Sequence, residues 1–289
     1  MTGWLLAGVA LAGGFTHRET RDPLPAREVA RDLVLPKGWS TVTVSHGFTR
    51  WEGLSSLRPF PGETVWRRAS EAGARVSVGD RVELRGAVRW VDVRTGAQLG
   101  GGLGPAEVGA AWSLARGVAP ARSLALDLTW TVPDGHPSLP LGSASHRWMP
   151  RLLGRWKNGG LRLTGSVGGL VTPPGEVPWL VDAADRRQRL DLADGAVAEA
   201  EALLQAGFLG VRGTATVAWL GPDRIDGQVV SAGAPAGVLR GGGFAQLDRA
   251  VQLGAEVHAS PLTTTSWLAP LPRLADGGRG VRAWVELAL

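Results

Sequence analysis

The chain has no cysteine and no tyrosine, and only two methionines and five phenylalanines, among its 289 residues. Without cysteine it forms neither a disulfide framework nor a thiolate metal site, which is compatible with an oxidising envelope compartment. No run of apolar residues reaches the ~18 that a membrane-spanning helix needs. These absences exclude a disulfide-rich fold, a cysteine metal centre and an ordinary transmembrane helix.

Concentrated positive charge is also lacking. The formal net charge is +5, and basic residues alternate singly with acidic ones instead of forming a patch or a basic helix. Nucleic-acid-binding proteins gather lysine and arginine on one face. We therefore expect no nucleic-acid partner.

What the chain does have is a repeated two-residue alternation, clearest from Glu71 to Trp90. Side chains of a strand point alternately to its two faces, so each half of this stretch has one apolar and one charged face. A helix would spread the charges around its circumference. The stretch is predicted to be a β-hairpin that turns at Gly79-Asp80.

The same pattern predicts a first strand over Trp39–Phe48 and a last strand over Val281–Leu289. Asn158-Gly159 favours a tight hairpin turn. Ala196–Gln205 is rich in helix formers, but its partner alternates well, so we predict a strand there too. The other predicted hairpins are Glu107–Ala115 with Ser123–Val132, Arg147–Lys157 with Leu161–Val171, Ala196–Gln205 with Leu209–Trp219, and Leu239–Leu247 with Val251–Val257.

Tight and long connections alternate along these twelve strands. The tight ones lie near residues 79, 117, 158, 207 and 249; the long ones cover about 53–63, 94–105, 133–142, 173–193, 221–236 and 260–279. An even strand number with short turns at one end and long loops at the other is the plan of an outer-membrane barrel. The predicted fold class is all-β: a transmembrane, antiparallel, up-and-down β-barrel of about twelve strands in the outer membrane.

Alternation alone also fits a soluble β-barrel, whose apolar face would be buried. The tryptophans favour the membrane, because rings at strand ends match the aromatic girdles at the two interfaces. On the apolar face, Trp66, Trp90, Trp130, Trp148 and Trp219 lie at loop-side ends and Trp156 lies at a turn-side end.

The chain divides into three parts. Residues 1–15 include a dozen apolar residues and are a candidate signal peptide, although no basic residue precedes Trp4. Residues 16–37 are charged and interrupted by proline, and are interpreted as a linker or periplasmic tail. The sequence leaves open whether they enter the lumen. Residues 38–289 are the predicted barrel.

The charged face becomes the lumen of such a barrel. Two hypotheses fit it equally: a mildly basic pore that favours anionic or polar small solutes, or a structural network of ion pairs that fills a narrow interior. The predicted lumen-lining residues are Arg75, Arg81, Glu83, Arg85, Arg89, Asp127, Arg151, Arg155, Glu199, Glu201, Arg212 and Glu256, with Asp248, Arg282 and Glu286 on the same face.

Short motifs resemble a known family. Leu33–Trp39 reads Leu-Val-Leu-Pro-Lys-Gly-Trp, Gly102–Gly109 reads Gly-Leu-Gly-Pro-Ala-Glu-Val-Gly, and Ala119–Leu128 reads Ala-Pro-Ala-Arg-Ser-Leu-Ala-Leu-Asp-Leu. Their order resembles the outer-membrane "transporter" family associated with the meta-cleavage pathway of phenol degradation. The resemblance implies a channel-like envelope barrel and carries no catalytic residues.

The function expected from the sequence is therefore an outer-membrane channel for small solutes, including aromatic or hydrophobic compounds, and not an enzyme. The expected partners are outer-membrane lipid or lipopolysaccharide, the barrel-assembly machinery and a small-molecule solute. The alternatives are a non-conducting structural barrel, a lipid-modifying barrel that would use Glu256, His258 and Ser260, and a secreted soluble carrier. The histidines lack metal-ligand spacing and the glycine-rich stretch at 100–104 precedes no helix, so no metal or cofactor is expected.

Overall fold

The structure, a computed structural model, describes residues 24–51, 64–94, 99–116, 122–132, 146–181, 187–192, 194–262 and 278–289. The candidate signal peptide and the predicted turn at 117–120 lie outside these residues. The described part contains one 3₁₀ turn, Glu28–Ala30. None of it forms a helix long and apolar enough to cross a membrane.

The described strands follow the predicted alternation closely. Neighbouring strands form hairpins because glycine, asparagine or aspartate, which favour tight turns, lie between them. The strands are β1 (Ser40–Trp51), β2 (Val65–Ser77), β3 (Val82–Arg94), β4 (Leu99–Leu103), β5 (Ala106–Arg116), β6 (Arg122–Val132), β7 (Arg147–Asn158), β8 (Leu161–Leu170), β9 (Gly175–Val181), β10 (Arg187–Asp191), β11 (Gly195–Ala206), β12 (Leu209–Leu220), β13 (Asp223–Ile225), β14 (Gln228–Ser231), β15 (Ala234–Gln246), β16 (Val251–Leu262) and β17 (Arg279–Ala288).

Thirteen of the described strands form one closed antiparallel barrel with twelve strand positions. Closure occurs between the first and last strands, since β1 pairs with both β2 and β17. At the turn side, Ser40 and Leu289 exchange both backbone hydrogen bonds, at 3.1 and 2.8 Å. The predicted twelve-stranded antiparallel barrel is confirmed.

One barrel position is built from two strands. The loop-side half of β3 pairs with β4 and its turn-side half pairs with β5. Gly104-Pro105 separates the two pieces, because proline has no backbone N–H to continue the ladder. The prediction of a long loop over 94–105 is therefore wrong: of that range, residues 99–103 are a strand.

Two further predicted loops, 173–193 and 221–236, are also partly wrong. They contain β9, β10, β13 and β14, which form a separate four-stranded sheet in the order β14-β13-β10-β9. The charged stretch Asp185–Arg189, which its composition predicts to be a solvated loop, falls partly in β10; its first two residues lie outside the described part of the chain.

The outer surface is apolar and the interior is polar. In β6, Leu124, Leu126 and Leu128 are 37, 47 and 44% exposed, whereas Asp127 and Thr129 are only 3 and 4% exposed. A soluble barrel has the opposite arrangement. The exposed apolar face is the belt that contacts lipid in an outer-membrane barrel.

Aromatic rings lie at the loop-side edge of this belt. Trp90 and Trp219 are exposed. Trp130 stacks on Trp148, with ring centroids 5.2 Å apart. Their amphipathic rings suit the interface between lipid chains and headgroups. The loop-side positions of these four tryptophans agree with the girdle expected from the sequence.

Candidate functional site: the barrel lumen

Residues 24–36, the lumenal segment, lie inside the turn-side end of the barrel. Val29 is 1% exposed and packs on Leu203, Phe244 and Trp284, which project inward from β11, β15 and β17. Val34 packs on inward side chains of β5 and β6. Apolar side chains of the segment thus pack against opposite parts of the barrel wall.

Polar contacts of the segment also reach around the lumen. The Val29 amide donates to Gln205 Oε1 at 3.0 Å, and the Leu35 amide donates to Glu83 Oε2 at 2.9 Å. Arg31 donates to Glu286 Oε1 at 2.8 Å. These partners lie on β11, β3 and β17. Residues 24–36 fall within the range interpreted as a linker or periplasmic tail, and the structure places them in the lumen.

Two ion pairs also attach the segment to strands β7 and β8. Glu28 pairs with Arg162 at 2.8 Å, and Asp32 pairs with Lys157 at 2.6 Å. Burial would raise the pKa of Glu28, but attraction to Arg162 and Arg31 outweighs it and holds that pKa below its ordinary value of 4.5. The Glu28 carboxylate is therefore ionised at neutral pH.

A second set of charges forms a continuous ladder across one side of the lumen. Glu71 accepts hydrogen bonds from Arg89 at 2.5 Å and from Arg282 at 2.9 Å. Arg282 also lies 4.0 Å from Glu256, which accepts from Arg212 at 2.9 Å. The ladder runs from β3 to β12 and skips β1 and β15. Such pairs offset the cost of holding charges away from bulk water.

Glycine permits the ladder to skip a strand. Gly242 of β15 lies between Arg212 and Glu256 in the strand register. A Cβ at Gly242 would lie 2.7 Å from the Glu256 Cβ, closer than van der Waals contact allows. Without a side chain there, the guanidinium passes over β15 and reaches the carboxylate.

Asp127 is the centre of a second cluster. It accepts from Arg151 Nε at 2.9 Å and forms an ion pair with Arg85. Arg85 reaches β6 across Gly109 of β5, where a Cβ would lie 3.2 Å from Arg85 Nε. Separately, Arg75 binds Glu83 through two hydrogen bonds of 2.8 Å.

The structure places most of the predicted lumen residues in these networks. Glu199 accepts from Thr216 at 3.2 Å, and Glu201 pairs with Arg162 at 3.0 Å. Arg81 is exposed before β3 begins. Asp248 does not face the lumen as predicted: it is exposed and caps the β15–β16 turn by accepting from the Ala250 and Val251 amides.

Sequence reasoning missed the apolar residues of the lumenal segment. Their signal is the run Leu33-Val34-Leu35, which is unusual in a solvated tail, and all three are buried. It also gave no role to inward-facing Phe244 and Trp284. Trp284 packs under the Arg212 guanidinium, 4.9 Å from the ring centroid.

A cavity of about 350 Å³ remains between the lumenal segment and the wall. Its lining combines apolar side chains with six arginines and four carboxylates. Among the lining residues are Leu24, Arg31, Arg155, Arg162, Leu203, Phe244 and Trp284.

The residues of the alternative hydrolase site do not form a triad. Glu256 is engaged by Arg212, and His258 Nε2 lies 3.2 Å from Thr49 Oγ1. Ser260 Oγ has no hydrogen-bond partner among the described residues, so the nucleophile–base contact that such a site requires is missing. Within the described part, no group of three potential ligands is placed to hold a metal ion.

The fold and site define a class: a β-barrel with an apolar outer belt, a charged lumen and an internal segment at the turn side. No protein-family model and no curated protein matches the chain. An outer membrane channel from Pseudomonas putida F1 is 12% identical over 89% of this chain and 97% of its own, with a TM-score of 0.65. The NanC porin is 8% identical over 86% of this chain and 100% of its own, with a TM-score of 0.50.

At such identities the similarity concerns the fold. The chain has the fold of outer-membrane β-barrels, and together with the exposed apolar belt this places it in the outer membrane, as expected. The resemblance stated from the sequence is confirmed at this coarser level. Its association with phenol degradation stays a prediction.

Proposed function

We propose that the protein is an outer-membrane channel that passes small solutes, including aromatic or hydrophobic compounds, along its lumen. The observation that carries this proposal is the polar, charged interior of a closed barrel with an apolar exterior. Structural similarity to an outer membrane channel supports it. The solute class draws on the resemblance to the phenol-degradation family.

The lumenal segment narrows the turn-side end of this path. Ion pairs and hydrogen bonds attach it to several parts of the wall, and the cavity lies between it and the wall. Solutes would pass through this cavity or displace the segment. Because twelve strands enclose less space than the 16–18 of wide porins, we expect a smaller conductance than theirs.

A non-conducting barrel is the second candidate, and the lumenal segment with the ion-pair ladder favours it. Both fill interior volume that a pore would need.

Single-channel recording in a planar bilayer separates the two. We expect discrete conductance steps from protein whose assembly is verified by heat-modifiable gel migration. Assembled protein that gives no steps would contradict the channel and support the non-conducting barrel. The same recordings with outer-membrane extract lacking the protein control for contaminating porins.

A further inference from the structure

We propose that the cavity between the lumenal segment and the wall is a binding site for a small organic carboxylate with a compact apolar body. This deepens the proposed function, because the cavity lies on the solute path, and it names a substrate class for that path. The ligand's charge would be bound by Arg155, and its body would be bound by apolar side chains of the same cavity.

The pairing of charges around the cavity singles out one arginine. Each of its four carboxylates pairs with a cation of the wall or of the segment: Glu28 and Glu201 with Arg162, Asp32 with Lys157, and Glu286 with Arg31. The other lining arginines also have carboxylate partners: Arg75 has Glu83, Arg212 has Glu256, and Arg282 has Glu71.

Arg155 differs from these arginines. Its Nε donates to Thr164 Oγ1 at 3.1 Å, and its Nη1 donates to the carbonyl oxygens of Arg31 and Asp32 at 3.0 and 2.7 Å. All three acceptors are neutral, and none of these bonds uses Nη2. Arg155 is half-buried, and these neutral acceptors offset only part of the hydration that its guanidinium loses there. A bound carboxylate would offset the rest of that loss and accept from the remaining N–H groups.

The rest of the lining suits an apolar body. Leu24, Leu203, Phe244 and Trp284 line the same cavity, and all four are buried. Its volume of about 350 Å³ lies at the lower end of the ~300–1,000 Å³ typical of ligand sites. A single aromatic ring with one carboxylate matches both the size and the mixed lining, so benzoate is the probe.

The test measures binding to the full chain in detergent micelles by isothermal titration calorimetry, so it does not depend on conduction. Benzoate carries both features, benzyl alcohol keeps the ring without the charge, and acetate keeps the charge without the ring. We expect saturable benzoate binding at least ~10-fold tighter than that of either other probe. No benzoate binding, or equal binding of acetate or benzyl alcohol, would overturn the proposal.

Two variants locate the site. Arg155→Gln should weaken benzoate at least ~10-fold, because the charge-assisted contact is lost. Lys157→Gln is the matched control: it lies two residues away on the same strand face and also binds the lumenal segment, but it does not line the cavity. Because it loosens the segment and leaves Asp32 of the cavity without this ion pair, it should weaken benzoate, but clearly less than Arg155→Gln does.

Equal weakening by both variants would indicate general loosening of the segment and would contradict a site at Arg155. If Arg155→Gln does not assemble, Arg155→Lys keeps the charge but removes the planar fork, and unchanged benzoate affinity in that variant would also contradict the site. The two proposals fail separately: a barrel that binds benzoate but gives no conductance loses the channel and keeps the site, and a conducting barrel that binds no benzoate does the opposite.

Discussion

At the scale of single residues, glycine decides which lumen charges can meet. Arg212 and Glu256 lie on strands separated by β15, and the Arg85–Asp127 pair spans β5. In both cases the strand between them carries an inward glycine, Gly242 or Gly109. A larger residue at either position would occupy the space through which the guanidinium passes. Both the ion-pair ladder and the Arg85–Asp127 pair therefore require a glycine on the strand that they cross.

Gly242→Ala should destabilise the barrel. The added methyl group would press on the Ala255 carbonyl oxygen and on Glu256, and overpacking of this kind costs ~1–3 kcal/mol. The measurement is the free energy of unfolding from urea titration of the refolded barrel in lipid vesicles.

Gly241→Ala is the matched control on the adjacent, outward position, where a new Cβ meets nothing within 4 Å. It should shift the free energy of unfolding by no more than ~1 kcal/mol, in the stabilising direction, because glycine is unfavourable within strands. Similar losses in the two variants would mean that Gly242 has no special role in the ladder.

Residue directions were predictable from the sequence, but residue pairings were not. The two-residue period places Glu71, Arg89 and Glu256 on the polar face without any structural information, and in the structure all three take part in the ion-pair ladder. It does not reveal that Arg282 reaches Glu71 across β1, because pairing beyond the adjacent strand depends on tilt, side-chain length and the intervening glycine. The same period also predicted wrongly that Asp248 faces the lumen, whereas its carboxylate accepts hydrogen bonds from backbone amides of the β15–β16 turn.

At the scale of elements, the least predictable one is the lumenal segment. Strand alternation identifies barrel strands because one face must meet lipid, but a segment enclosed on all sides has no such period. Its buried apolar residues are Leu24, Val29 and the run Leu33-Val34-Leu35, which ends at Pro36, and they follow no regular spacing. The strands β9, β10, β13 and β14 escaped prediction for a related reason, since short strands within long loops show too few alternations to recognise.

The Glu28 contacts make a prediction about acid. Because Arg162 and Arg31 hold the pKa of Glu28 below 4.5, the stabilisation that its charge gives the lumenal segment is present above that pH. It is lost as the pH falls through the lowered pKa. We expect channel conductance to be constant from about pH 8 to about pH 5 and to rise below ~4.5, as the segment loosens.

Glu28→Gln tests the source of that response in the same planar-bilayer recordings. The amide imitates the protonated carboxyl, so this variant should conduct more than the unmodified chain at neutral pH and show a smaller increase in acid. An acid response of equal size in both proteins would assign it to other carboxylates of the lumen.

At the scale of the whole molecule, the distribution of polarity is inverted relative to a soluble protein. Val88 lies at the centre of β3 with 54% of its surface exposed, while Glu83 of the same strand is 1% exposed. The hydrophobic effect therefore stabilises this chain mainly by contact with lipid, and its interior is held by ion pairs and by the lumenal segment. A substitution on the lipid-facing surface should therefore impair insertion, whereas one on the lumen-facing surface should change conductance.

Val88→Arg should impair insertion, because an arginine in the middle of the lipid-facing belt costs ~2–4 kcal/mol. The measurement is the fraction of protein that shows heat-modifiable migration after refolding into vesicles, with Val88→Ala as the control that keeps the face apolar.

Arg85→Leu changes the opposite face of the same strand. Because Asp127 keeps Arg151 as its partner, the barrel should assemble but differ in conductance. Normal assembly of Val88→Arg together with failed insertion of Arg85→Leu would contradict this assignment of the two faces. It would mean that Val88 faces the lumen and Arg85 faces the lipid.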